Sequence, residues 1–286
     1  MKKIFTGSRR KVAAVMAIAL VASLSQVTTS SASGASTPKR GGKITVGIFD
    51  SFPGFCMADN LANSSLMAGR TIYETWVEQR ADGRMVPYVL KSVDKSPDNK
   101  TWLLTVRDGI KFHDGSPVDG TALFVNMQAQ RGVLYLNGLI GRLPKTPSPQ
   151  TGAGFQANIS DVIQTGAMSV TVKLYKADAN YLETLYASGR FFVRSVGQLT
   201  GNTCSTVPVG TGPFKYVSHK LTELVVAKNE NYWRKDAKGG KLPYLDGIKF
   251  TFLPDAQPRV AGVKSGTLAA SMFTVSSEAK QMIDLA

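Results

Sequence analysis

Apolar and polar residues alternate along several short stretches of the chain, which is the period expected of strands with one buried face. The clearest stretch is Thr101–Val106, whose even-numbered residues are all apolar. Asp108-Gly109 then predicts a turn, because glycine accepts the positive φ that tight turns demand. A short strand, Ile110–Phe112, and a second turn at Asp114-Gly115 complete a predicted ribbon.

The remaining pattern mixes strands with helices and predicts an α/β fold. Alternation predicts further strands at Lys43–Phe49, Ile159–Ile163, Ser169–Tyr175, Leu224–Lys228 and Ile248–Leu253, of which Ile159–Ile163 and Ser169–Tyr175 are predicted to form a hairpin. Helical spacing predicts helices over Asn63–Glu78, from the capping residue Asp119 through Gln130, over Tyr181–Ser188 and over Asp255–Val263. With 286 residues the chain can hold one large domain or two ordinary ones.

Residues 1–35 have the pattern of a secretion signal. Met1–Lys11 is positively charged, Val12–Leu24 is apolar or small, and cleavage is expected after Ala32 or Ala35. The apolar run is shorter than the roughly 20 residues that span a membrane, so an uncleaved anchor is the minor alternative. Arg9-Arg10 leaves both the general secretory and the twin-arginine route open. No cysteine lies near the cleavage region, and we therefore expect a free periplasmic protein.

The chain is basic, with a formal net charge of +14 and a pI near 9.8. Five of the basic residues, and no acidic one, belong to the predicted leader. The others are scattered, whereas nucleic-acid binding needs clustered cations with aromatic platforms beside them. We therefore predict a solvated basic surface and no nucleic-acid partner.

The sequence does not predict an enzyme. It has neither a G-x-S-x-G nor an H-E-x-x-H motif, and its two histidines are too few for a metal cluster. His113 is expected to bond a backbone carbonyl. Gly210 and Gly212 could suggest a phosphate cradle, but Pro213-Phe214 enters a strand rather than a helix, so turn glycines are predicted. No catalytic residue, metal or cofactor is predicted, and a secreted hydrolase is the least favoured alternative.

Three stretches resemble hallmark phrases of one family. Val106–Pro117 is similar to LRxGVKFHDGxP, Ile72–Ser92 to YExLVxxDxxGxxxPxLAxS, and Pro208–Trp233 contains PVGTGPFKY and VVAKNENYW. These phrases are typical of extracytoplasmic solute-binding protein family 5, the dipeptide, oligopeptide and nickel-type receptors of ABC importers. The resemblance covers about Gly42–Met272, but the chain is about half as long as such receptors.

The resemblance implies a periplasmic-binding-protein-like fold of type II, cluster C: a two-lobed receptor with interleaved domains, here with the distal lobe missing or incomplete. Residues 42–55 and 158–286 would form the first lobe, and residues 56–157 an inserted second subdomain. The implied function is capture of a small solute, most often a peptide, and its delivery to an ABC permease by a monomeric receptor. The alternative is a truncated secreted interaction protein that does not transport. A chain lacking the distal lobe is expected to bind solute weakly and to aggregate.

In this family the loop after the first strand borders the solute cleft, which points to Phe52, Phe55, Met57 and Asn60 as ligand contacts. For the two phenylalanines, packing against a neighbouring lobe is an equal alternative. The loop also contains Cys56. In an exported chain with two cysteines, a bridge between Cys56 and Cys204 is the simplest expectation, and two separate buried thiols are the alternative.

Overall fold

A computed structural model of the chain describes residues 38–50, 54–55, 63–131, 133–136, 139–142, 156–201, 203, 206–274 and 276–283. The predicted leader and the predicted site residues Phe52, Met57 and Asn60 lie outside these ranges, as do both cysteines. In the part that is described, no helix is both long enough and apolar enough to cross a membrane.

The described chain contains runs of strands separated by helices. The strands are β1 Lys43–Ile48, β2 Val77–Gln79, β3 Met85–Pro87, β4 Leu90–Lys95, β5 Thr101–Val106, β6 Val133–Leu136, β7 Leu139–Arg142, β8 Ile159–Gln164, β9 Ser169–Leu174, β10 Phe214–Lys220, β11 Glu223–Lys228, β12 Gly247–Phe252 and β13 Ala270–Ser271. The helices are α1 Asn63–Ile72, α2 Gly120–Gln130, α3 Tyr181–Tyr186, α4 Val196–Gly201, α5 Ala256–Lys264 and α6 Ser276–Ile283.

One sheet has five strands in the order β10-β11-β12-β1-β13. Strand β1 is parallel to β12 and β13, whereas β11 runs antiparallel to both of its neighbours, β10 and β12. The alternation predicted for these strands is present, since Val46, Ile48, Leu224, Val226 and Phe250 are all buried in one apolar cluster. Helix α1 contributes to the same cluster.

A second sheet is antiparallel, in the order β4-β5-β9-β8. On β5 the predicted buried face is confirmed: Trp102, Leu104 and Val106 are at most 2% exposed, whereas Leu103 is 38% exposed. Helix α2 packs on this sheet, and its predicted cap is confirmed because Asp119 Oδ1 accepts a hydrogen bond from the Ala122 N–H at 2.8 Å.

Two predicted elements differ in the structure. Ile110–Phe112 is not a strand, since Lys111 makes only an isolated bridge with Pro117 between the turns. The helix predicted over Asn63–Glu78 ends at Ile72, and Val77 instead pairs with Pro87 in a short two-stranded sheet. Trp76 and Val77 are buried as predicted, but from extended chain.

The predicted hairpin, β8–β9, forms, and β9 pairs with β5. It therefore shares a sheet with the ribbon, and the sheet that contains β1 resumes only at β10. The lobe boundaries of the sequence analysis remain a prediction. Because β9 pairs with β5, we expect the chain to re-enter the predicted first lobe after residue 174 rather than at residue 158.

Candidate functional site

The three hallmark stretches meet at the end of α1. The Gly212 N–H donates to the Ile72 carbonyl at 2.8 Å, and the His113 N–H donates to the Gly210 carbonyl at 2.9 Å. A Cβ placed on Gly212 would lie 2.6 Å from the Ile72 carbonyl oxygen. Neither Gly210 nor Gly212 has a positive φ, so close backbone approach, rather than a special turn conformation, is what requires these glycines.

The His113 ring completes this junction. Its Nε2 lies 3.0 Å from the Gly212 carbonyl oxygen, which confirms the predicted carbonyl contact. Because a carbonyl only accepts, Nε2 carries the proton and Nδ1 is an acceptor. Burial, assisted by the nearby Lys215, lowers the pKa of His113 to about 4, although the hydrogen bond to Gly212 and the charge of Asp114 act in the opposite direction, so the ring is neutral at pH 7. The Asn229 side chain donates to the same Gly212 carbonyl at 3.0 Å.

Glu74 follows α1 and is only 4% exposed. Its Oε1 accepts hydrogen bonds from the hydroxyls of Tyr88 at 2.6 Å and Tyr232 at 2.7 Å, and its Oε2 accepts one from Trp233 Nε1 at 2.7 Å. Burial raises the pKa of Glu74, and the three donors oppose this shift. A carboxylate whose lone pairs are occupied in this way suits a structural clamp better than a general base.

The Glu74 clamp joins the two sheets. Tyr88 lies between β3 and β4 and leads into the second sheet, whereas Tyr232 and Trp233 follow β11 of the first sheet. Arg234 adds a further contact, because its guanidinium donates to the Tyr88 hydroxyl at 3.1 Å and lies 5.0 Å from the ring centroid. Sequence reasoning found the phrases that contain these residues but missed their pairing.

A cavity of about 120 Å³ lies beside the clamp. Its lining is formed by Arg70, Tyr73, Glu74, Thr75, Tyr88, Pro213 and Tyr232. Ligand pockets usually occupy roughly 300–1,000 Å³, so this cavity is too small for a peptide.

Of the predicted ligand contacts, Phe55 is the one within the described residues. It is 1% exposed, and its ring centroid lies 5.7 Å from that of Tyr216 and 6.3 Å from that of Tyr73. In this structure Phe55 is thus a buried side chain packed between aromatic rings. Contact between a solute and Phe52, Phe55, Met57 or Asn60 remains a prediction.

The described residues contain no group of three or more histidine, cysteine, aspartate or glutamate side chains that could hold a metal ion. The two histidines do not share a site, since His113 bonds the Gly212 carbonyl and His219 Nδ1 lies 3.1 Å from the Tyr216 hydroxyl. What the described junction offers chemically is therefore hydrogen bonding and charge.

Comparison with curated proteins identifies relatives among periplasmic receptors. The chain is 29% identical over 211 residues to the nickel-binding periplasmic protein of Escherichia coli (strain K12), covering 72% of this chain and 36% of that protein. It is 26% identical over 217 residues to the oligopeptide-binding protein OppA of Bacillus subtilis (strain 168), covering 68% of this chain and 37% of the relative. The chain thus spans little more than a third of the length of these relatives.

Solved structures confirm the predicted fold class. The periplasmic binding protein DppA from Helicobacter pylori, in complex with the peptide STSA, superposes with a TM-score of 0.67 at 21% identity, covering 86% of this chain and 49% of that one. AgaA from A. tumefacien R10, in complex with agropinic acid, also gives 0.67, at 23% identity over 79% of this chain and 43% of that one.

The family model for bacterial extracellular solute-binding proteins, family 5 Middle, matches residues 84–284. The match includes the ribbon, the β8–β9 hairpin and the Pro208–Trp233 phrases, so it confirms the resemblance over most of the chain. The chain belongs to the bacterial extracellular solute-binding proteins of family 5.

Proposed function

We propose that this protein is the extracytoplasmic receptor of an ABC importer, capturing a small solute and delivering it to the membrane permease. The observation that carries the proposal is the family match over residues 84–284. A peptide is the leading solute class, because relatives include the oligopeptide-binding protein OppA and a di/tripeptide-binding protein. Nickel and heme, named in other relatives, are the competing classes.

The loop between β1 and α1 is the proposed solute platform. Its two ends are tied together, since Asp50 Oδ1 accepts a hydrogen bond from the Ser64 N–H at 3.1 Å. Phe55 anchors the loop on the first sheet through its edge-to-face contact with Tyr216. Phe52, Met57 and Asn60 belong to the same closed loop and are the proposed contacts. Loops held by a rigid scaffold commonly carry binding residues.

We further propose that residues 1–35 are a leader removed on export and that the receptor works in the periplasm as a monomer. The relative from Escherichia coli is named a periplasmic protein, which supports this location. A receptor needs no catalytic group. The saturated carboxyl of Glu74 is in keeping with a protein that binds its solute without chemical change.

A solute panel tests the proposal. The full chain, expressed with its own leader and purified from the periplasmic fraction, would be titrated by calorimetry and thermal shift with a dipeptide-to-pentapeptide library, Ni²⁺, heme and glutathione. Since the chain spans little more than a third of its relatives, we expect peptide binding to be weak but saturable, and the melting temperature to rise at high peptide concentration, because a ligand that binds only the folded state stabilises it. If no solute binds, the secreted interaction protein becomes the better description.

Variants then localise the solute. We expect Asn60→Ala and Phe52→Ala each to weaken peptide binding by roughly tenfold or more. The first substitution would remove one polar contact with the peptide, and the second would remove one aromatic contact. Leu221→Ala is the matched control, because Leu221 is 78% exposed at the β10–β11 turn. Unchanged affinity in both loop variants would remove the loop from the proposed site.

A further inference from the structure

A second pocket lies on the other side of the junction, between the ribbon and β10. It has a volume of about 290 Å³ and is lined by Lys111, Phe112, His113, Gly115, Lys215, Asn229 and Asn231. We call it the β10 pocket. Its lining carries two ammonium groups and no carboxylate, whereas the lining of the cavity beside Glu74 contains both a guanidinium and a carboxyl group.

The two lysines of the β10 pocket are not neutralised by the described protein. Within the described ranges, neither Lys111 nor Lys215 has a carboxylate oxygen within 4.0 Å. Of the acids nearest in sequence, Glu230 lies 3.7 Å from Lys228, whereas Asp114 accepts hydrogen bonds from the uncharged Ser116 and places one negative charge near His113. With two ammonium groups against one nearby carboxylate, the pocket keeps a net positive charge, which favours an anion.

His113 adds a chemical preference to this charge. Its Nε2–H is used by the Gly212 carbonyl, and its buried Nδ1 has no hydrogen-bond partner among the described residues. Since the ring is neutral, Nδ1 can only accept. A ligand that brings both negative charge and an O–H donor satisfies the lysines and the imidazole together.

We propose that the β10 pocket binds a phosphate-class oxyanion, in which charged oxygens meet Lys111 and Lys215 and a P–OH group donates to His113. Hydrogen phosphate has such a donor at neutral pH, whereas sulfate carries the same charge without one. The two lysines come from different parts of the fold, Lys111 from the ribbon and Lys215 from β10. A bound oxyanion would therefore reinforce the junction that His113 and Asn229 form around the Gly212 carbonyl.

The test is calorimetric titration of the full chain at pH 7 with sodium phosphate, and separately with sodium sulfate, at an ionic strength fixed with sodium chloride. We expect one saturable phosphate site per chain and binding of sulfate weaker by about tenfold, the factor that one hydrogen bond to a charged group supplies. Absence of saturable phosphate binding, or equal affinity for sulfate, would overturn the proposal.

Variants assign the site. Lys215→Gln and Lys111→Gln should each weaken phosphate binding about tenfold, since each removes one charge-assisted contact. Lys91→Gln is the matched control, because Lys91 is exposed and lies 3.9 Å from Asp108. Thermal unfolding without phosphate checks that each variant folds. Folded Lys215→Gln and Lys111→Gln proteins with unchanged phosphate affinity would contradict the assignment. Because these measurements use no solute, their outcome is independent of the proposed receptor function.

Discussion

At the scale of single residues, Glu74 is a buried carboxyl that connects residues of both sheets. Its two carboxylate oxygens serve three donors from Tyr88, Tyr232 and Trp233, and each distance is 2.6–2.7 Å. A buried carboxylate is tolerated when such donors replace water. Removing one acceptor would leave a buried donor without a partner. The resulting loss of stability is larger than the net stabilisation that the hydrogen bond itself provides.

Glu74→Gln tests this clamp with almost no change in shape. The side-chain oxygen can still accept from the two tyrosines, but the new amide nitrogen then faces the N–H of Trp233, donor against donor. We expect the free energy of unfolding to fall by about 1–3 kcal/mol, measured by urea denaturation at pH 7.

The control for Glu74→Gln is Glu230→Gln. Glu230 is 74% exposed and makes only a surface ion pair with Lys228, so its loss should cost about 0.5 kcal/mol or less. Equal effects of the two substitutions would show that the clamp contributes no more than a surface charge.

At the scale of elements, the last residue of α1 is in close contact with a glycine far away in sequence. Gly212→Ala places a Cβ against the Ile72 carbonyl, and neither partner can yield because both are backbone. We expect destabilisation by about 1–3 kcal/mol or more, as for other overpacked positions, seen as a lower midpoint in thermal and urea unfolding. The matched substitution is Gly197→Ala in α4, where an added Cβ meets nothing within 4 Å. That variant should be neutral or slightly more stable; a comparable loss there would refute the close-approach explanation.

Sequence pattern predicted those elements whose signal is local. Strand β5 and the β8–β9 hairpin were predicted because apolar and polar residues alternate within each of these half-buried strands. The start of α2 was predicted from its capping residue, Asp119. The same reasoning extended α1 beyond Ile72, because Trp76 and Val77 continue its apolar spacing. The chain turns there instead to pair Val77 with Pro87 and to accept Gly212, contacts that periodicity cannot reveal.

The candidate site was less predictable for the same reason. Glu74 and Tyr232 are 158 positions apart, and nothing in either phrase specifies the other. His113 was predicted to bond a backbone carbonyl, but the sequence did not indicate that the carbonyl belongs to Gly212. The resemblance supplied the family, whereas the contacts between its phrases came from the three-dimensional arrangement.

At the scale of the whole molecule, two distant segments approach one side chain, Tyr73. Phe55, next to Cys56, lies 6.3 Å from the Tyr73 ring, and the Tyr73 hydroxyl donates to Gln198 at 3.0 Å. The Gln198 side chain also accepts a hydrogen bond from the Val209 N–H at 2.7 Å. Residues on both sides of Cys204 are therefore linked to Tyr73 through Gln198. The cysteines themselves lie outside the described residues, but their described neighbours converge.

We therefore predict that Cys56 and Cys204 form a disulfide in the exported protein. A bridge closing a loop of roughly 150 residues would stabilise the fold by about 4–5 kcal/mol through the entropy of the unfolded chain, if it is unstrained. Peptide mapping without reductant should recover the two cysteines in one linked peptide pair. The double variant Cys56→Ser, Cys204→Ser should melt at a lower temperature than the oxidised protein, and reductant should bring the wild type down to the same midpoint. Recovery of both residues as free thiols would instead favour two separate buried cysteines. The connection between the first-strand loop and the Pro208–Trp233 phrases would then depend on noncovalent contacts, such as those between Phe55 and Tyr216 and between Tyr73 and Gln198.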